Sequence, residues 1–112
     1  MHRAGRQTII GLFTLLGMAA GQAAAEIPAA RQAELRYLLV QDCGSCHGLT
    51  FKGGLGSPLT PEALAGKDPR ALRDTILNGL PGTAMPPWRP FVTPEEAAWM
   101  VRVLIEGQPH AR

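Results

Sequence analysis

Cys43-Gly44-Ser45-Cys46-His47-Gly48 is the stretch on which the reading of this chain turns. Two thiols three places apart, with an imidazole directly after the second, form the C-x-x-C-H pattern of haem attachment. The spacing has a chemical reason. Two thiols add across the two vinyl groups of one haem, and the adjacent His47 then reaches the iron from the same side. A neutral imidazole is a good iron ligand, and thioether bonds keep the group in place through redox cycling. Three plainer readings compete. A thioredoxin-like C-x-x-C sits in a βαβ context, which this sequence does not offer. A structural zinc site wants four ligands, and only Cys43, Cys46, His47 and His110 near the C-terminus are at hand. A disulfide between Cys43 and Cys46 would close too short a loop to restrain the unfolded chain much, and it leaves His47 without a role.

Upstream of the motif, residues 29–41 are good helix formers that place Leu35, Leu38 and Leu39 on one face, so a first helix is predicted there. Gly44 and Gly48 are expected to break that helix at the motif. Downstream, Gly53, Gly54, Gly56 and Pro58 mark a loop, and a brief helical turn is expected at 61–65. Asp68-Pro69 reads as the N-cap and first residue of a helix through Asn78, stopped by Gly79, with Leu72, Ile76 and Leu77 on its apolar side. Residues 80–90 hold four prolines and cannot form a regular element. The last helix is signalled best, with Thr93 as N-cap, Pro94 next, Glu96 completing a capping box and Gly107 as stop. Its apolar face carries Ala97, Met100, Val101 and Leu104. No run alternates with a strand period, so the expected fold is all-α: three main helices and long loops around one covalently attached haem.

The chain has 112 residues, room for one domain. Arg3 and Arg6 precede an apolar run over 8–20, followed by Ala23-Ala24-Ala25 before Glu26. This is a secretory layout, too short for a membrane span of about 20 apolar residues. Residues 1–25 are expected to be a signal peptide cleaved on export to the periplasm, leaving a domain of 26–112 with no stable membrane insertion. Of the eleven Lys and Arg residues, two lie in that leader, while all nine acids come at or after Glu26. The remaining side chains balance, nine against nine, which argues against nucleic-acid binding. A domain this small is marginal on its side-chain core alone, and a covalently bound, largely apolar macrocycle would supply the missing buried surface.

Three residues are candidates for a second axial ligand. Met100 lies mid-helix on an apolar face, where methionine is usually core filler. His110 follows the final glycine in a stretch expected to fray. Met85 sits between Gly82 and Pro86-Pro87, which fix a loop able to present a thioether sulfur, and is the expected distal ligand. Soft sulfur favours ferrous iron and raises the reduction potential relative to bis-His ligation.

The helix before Cys43-x-x-Cys46-His47, the Gly/Pro loop, the Met85-Pro86 loop and the terminal helix together resemble the class I cytochrome c family over nearly the whole chain after residue 25. The resemblance implies that the first and last helices cross, with Leu35 and Leu39 facing Ala97, Val101 and Leu104. It also implies that a backbone carbonyl in the first loop fixes the His47 ring. The family's proline directly after a glycine is one place late here, at Pro58 after Gly56-Ser57, so either the Ser57 or the Pro58 carbonyl is left to do this. More narrowly, the stretches 42–56, 59–64 and 81–88 look like the small cytochromes that accompany haem-cd-type nitrite reductase in denitrifying bacteria.

That likeness implies a monomeric, non-enzymatic carrier of single electrons whose partners are redox proteins, nitrite reductase among them. Two alternatives stand beside it. One is a factor in maturation of the special haem of that reductase, and the other a ligand-binding haem protein with a labile sixth position. Trp88 is expected either to pack on the haem or to donate its indole N–H to a propionate. Lys52, Lys67, Arg70, Arg73 and Arg89 fall in the half of the chain that carries the loops, and would favour an acidic partner if they shared a surface.

Overall fold

The computed structural model describes residues 25–110. The expected leader, apart from Ala25, lies outside the described residues. The elements are α1 (Ala29–Leu38), a π-helical stretch (Leu39–Cys43), α2 (Gly44–His47), α3 (Pro61–Leu64), α4 (Pro69–Asn78) and α5 (Pro94–Ile105). No strand occurs among the described residues, and the three long helices stand where the apolar periods put them.

The first helix does not break at the motif. It runs through it, and the expected role of Gly44 is corrected. Gly44 is buried and helical (φ −61°, ψ −27°), and only Gly48, at φ 92°, turns the chain. The junction is π-helical, with the Gly44 N–H bonding back to the Leu39 carbonyl, and such one-turn insertions rotate everything that follows about the helix axis. Cys43, Cys46 and His47 therefore lie at i, i+3 and i+4 of a helical path, which puts all three on one side.

α5 is built as its sequence signals. The Thr93 hydroxyl accepts the Glu96 N–H at 3.1 Å, and the Glu96 carboxylate accepts the Thr93 N–H at 2.9 Å. The same carboxylate has a second task that no local pattern announced: it takes a two-pronged bond from Arg31 of α1, at 2.7 and 3.0 Å. Arg31 also donates to the Phe91 carbonyl at 2.9 Å, so one guanidinium ties α1 to the entry of α5. Beneath it Leu35, Leu39, Ala97 and Met100 are fully buried, as expected for a crossing in which small Ala97 admits close approach. Met100 is thus core filler. α4 packs along α5, Leu77 joining Val103 and Leu104 in the same core.

Candidate functional site

A cavity of about 520 Å³ opens between α2, α4, α5 and the two long loops, a size usual for a small-molecule or cofactor site. Cys43, Cys46 and His47 line one part of it and Met85 another, with Leu39, Leu64, Leu72, Ile76, Val101 and Leu104 among the apolar walls. Residues 38 positions apart in sequence are brought to one space. Val101, expected in the helix crossing, lines this cavity as well as being buried. His110 does not line it. Its exposed ring packs edge-on against Phe51, with centroids 5.5 Å apart.

The His47 ring is fixed by its second nitrogen. Nδ1 lies 2.7 Å from the Ser57 carbonyl, and since a carbonyl can only accept, Nδ1 carries the proton. The lone pair is left on Nε2, the atom that a metal would take. Of the two carbonyls the sequence left open, Ser57 is the one used. The loop that carries it is tied to the end of α2, where helices leave carbonyls unpaired: Gly53 N–H donates to the His47 carbonyl and Gly56 N–H to the Cys46 carbonyl, each at 2.8 Å. Gly56 is pressed flat on the imidazole. A Cβ there would stand 2.7 Å from both His47 Cε1 and Nδ1, closer than any side chain tolerates.

The Met85 loop is held in the same way by the end of α4. Trp88 N–H donates to the Ile76 carbonyl at 2.9 Å and Arg89 N–H to Leu77 at 3.1 Å, while the Arg89 guanidinium grips Asn78 Oδ1 at 2.8 Å. Within the loop, Leu80 N–H donates to the Met85 carbonyl at 3.2 Å and Thr83 N–H to Leu80 at 3.1 Å. The hinge is Gly79, at φ 68° and ψ −175°, a conformation confined essentially to glycine. A Cβ at Gly79 would also stand 2.7 Å from the Met85 carbonyl oxygen. The sequence marked Gly56 and Gly79 only as a loop residue and a helix stop; their work as contact surfaces for His47 and Met85 depends on neighbours that the chain brings back from elsewhere.

The Cys43 thiol is not poised for thiolate chemistry. Burial, with the Asp42 carboxylate next to it, pushes the Cys43 thiol up to about 11, whereas redox-active and metal-binding cysteines are held low. Among the described residues no three His, Cys, Asp or Glu side chains are placed to share a metal ion, so the zinc reading finds no donor set. What the cavity does fit is a flat apolar ring held at one side by two thioether positions and an oriented imidazole, with a thioether sulfur in the facing loop. Trp88 is half-buried on the same wall and its ring lies 5.7 Å from that of Phe91.

Residues 30–102 match the protein family described as "Cytochrome C oxidase, cbb3-type, subunit III". The chain is 56% identical over 98 residues to the cytochrome c55X of Paracoccus denitrificans, an alignment covering 87% of this chain and 95% of that protein. Among solved structures it resembles a c-type cytochrome NirC with a TM-score of 0.73 and 55% identity, covering 74% of this chain and 98% of that one. It is also 33% identical over 95 residues to the dihydro-heme d1 dehydrogenase of Pseudomonas aeruginosa, where the match takes in 85% of this chain and 19% of that longer protein.

Proposed function

This chain belongs to the c-type cytochromes, in the family matched over residues 30–102, with one covalent haem c as its cofactor, and from that membership we infer that it carries single electrons in the periplasm as part of dissimilatory nitrite reduction. The observation that carries this reading is the cavity in which His47, oriented by the Ser57 carbonyl, and Met85 come together. Cys43 and Cys46 would hold the haem through thioethers, with His47 Nε2 and Met85 Sδ the two atoms offered to its iron. Bound haem c supplies a reversible ferric/ferrous couple. The residues do the rest: the Ser57 carbonyl keeps the Nδ1 proton in place, the Gly79 hinge holds the Met85 loop over the cavity, and the apolar walls exclude water. If His47 and Met85 both ligate, no position is left for a substrate at the iron, and the protein would serve as a carrier and not as an enzyme. Its partners are redox proteins met in brief encounters of small area, nitrite reductase foremost, and it works as a monomer.

Spectroscopy tests the ligand set. The reduced holoprotein is expected to be low-spin and unaltered by carbon monoxide, and the ferric form to show a methionine-to-iron charge-transfer band. A high-spin spectrum with rapid carbon monoxide binding would instead establish the ligand-binding reading. Met85→Ala is expected to open the iron to exogenous ligands and lower the potential; an unchanged spectrum in that variant would mean that another residue ligates.

The likeness to dihydro-heme d1 dehydrogenase favours one second reading, a part in maturing the special haem of nitrite reductase. Deletion separates the two. Loss of a donor leaves a complete but electron-starved reductase, whereas loss of a maturation factor leaves a reductase without its finished haem.

A further inference from the structure

Among the described residues, Phe51 is the single one besides glycine with a positive φ, 59°. A bulky side chain is an outlier in that region, and such a residue persists only where its surroundings over-determine it. The surroundings do so here. The Phe51 N–H donates to the Gly48 carbonyl and the Phe51 carbonyl accepts the Leu59 N–H, both at 2.8 Å, so one residue ties the entry of the loop to its exit. Its ring is 2% exposed and belongs to the same core cluster as Leu39, Leu64 and Leu104, three residues that also line the cofactor cavity. The His110 ring lies against it from the C-terminal end of the chain. That end is itself held: Gln108 N–H donates to the Val103 carbonyl at 3.0 Å, and the Arg36 guanidinium donates to the Gln108 carbonyl.

The span closed by the Phe51–Leu59 bond, residues 51–59, contains Gly56, flat against the His47 ring, and the Ser57 carbonyl, 2.7 Å from its Nδ1. Phe51 does not line the cavity, so it acts on the imidazole only through this span. We propose that Phe51 is a positioning residue for the proximal ligand: its buried ring, kept in a backbone conformation that the loop alone would not hold, seats residues 51–59 so that the Ser57 carbonyl stays on His47 Nδ1. The proposal rests on the reading in which His47 Nε2 is offered to haem iron. A firm Nδ1–H bond makes imidazole a more basic ligand, and a more basic ligand favours ferric iron and lowers the potential. A slack bond does the reverse. Phe51 therefore bears on the reduction potential without touching the iron or its ligand.

Phe51→Gly removes the ring and leaves a residue at home at this φ, so its effects are those of the ring and not of backbone strain. In the holoprotein it is expected to shift the couple toward ferrous iron about threefold or more at a fixed applied potential, ~28 mV at ~59 mV per tenfold for one electron. The His47 Nδ1 proton, followed by NMR, is expected to exchange with solvent about tenfold faster or more, because the loop opens locally. Phe51→Leu keeps apolar bulk and is expected to bring both readouts most of the way back to the parent's. Val103→Ala, in the same core but off the cavity wall, is expected to lower stability and leave both readouts where they are, which separates seating of the loop from general loosening.

A Phe51→Gly potential no higher than the parent's, or an Nδ1 proton that exchanges no faster, would overturn the proposal, as would a Val103→Ala variant that moves both readouts equally. Should Phe51→Gly yield no folded holoprotein, exchange in the parent decides. The Leu59 amide and the His47 Nδ1 proton are expected to exchange through one opening with the same denaturant dependence. An Nδ1 proton that exchanges while the Leu59 amide stays protected overturns the proposal. These failures leave His47 ligation and the carrier reading intact, whereas a parent holoprotein whose His47 ring resonances show no shift from the iron would overturn that reading itself.

Discussion

At the scale of single residues, the site depends on a hydrogen bond and on two atoms that are not there. The Ser57 carbonyl sets the His47 tautomer, and the missing side chains of Gly56 and Gly79 leave room for the imidazole and for the Met85 backbone. Gly56→Ala is expected to push the ring off the Ser57 carbonyl and cost about 1–3 kcal/mol by overpacking, checked by thermal unfolding together with the ferric spectrum, which should shift as the imidazole reorients. Gly79→Ala is expected to unseat Met85 and not His47. Its signature is loss of the methionine-to-iron band with thioether attachment intact, measured by optical spectrum and mass; retention of that band would show that Gly79 does not position Met85.

At the scale of elements, Glu96 joins two helices. It closes the Thr93 capping box and binds Arg31 of α1, and the Arg31 guanidinium, followed by the Thr93 N–H, holds the Glu96 carboxyl below the usual carboxylate range. A carboxyl lowered by folding adds stability that is fully present above its unfolded value, about 4.3, and is lost as pH falls through its folded value. Glu96→Gln is therefore expected to destabilise by about 1–2 kcal/mol near neutral pH. Denaturation midpoints of the variant and its parent should converge in acid, below the folded value. A difference that persists unchanged into acid would place the effect in packing and not in the ion pair.

At the scale of the whole molecule, the protein is two clamps mounted on one helical crossing. Each clamp is a loop bonded to the free carbonyls at a helix end, the first to α2 and the second to α4. α2 continues the helical path that carries buried Leu35 and Leu39, and α4 packs along α5, which carries buried Ala97 and Met100. Leu39 belongs both to that core and to the cavity wall, so Leu39→Ala is expected to cost about 2–5 kcal/mol, with weakened Met85 ligation as a companion spectral effect. Since so small a domain leans on its cofactor for buried surface, replacing Cys43 and Cys46 by Ala is expected to leave little stable protein on export. The intact mass of the protein from a cell competent in haem attachment tests the proposed leader removal after Ala25 and haem attachment at once.

The sequence by itself determined the long helices, the caps of α4 and α5, and the residues proposed for the two halves of the site. Those are local matters: an N-cap hydroxyl with a glutamate three places on, an apolar face at helical period, and two thiols and an imidazole at i, i+3 and i+4 are all legible within one or two turns. Even the expected break at Gly44 failed for a local reason, because glycine permits a turn without compelling one, and the helix was stabilised through the motif. Only the tertiary structure decided that Ser57 holds His47, that Glu96 reaches Arg31, that Gly79 makes way for Met85, and that Leu55 and Leu80 line one cavity. Each of these is a contact between segments far apart in the chain, and its energy depends on a distance that no single stretch of sequence sets.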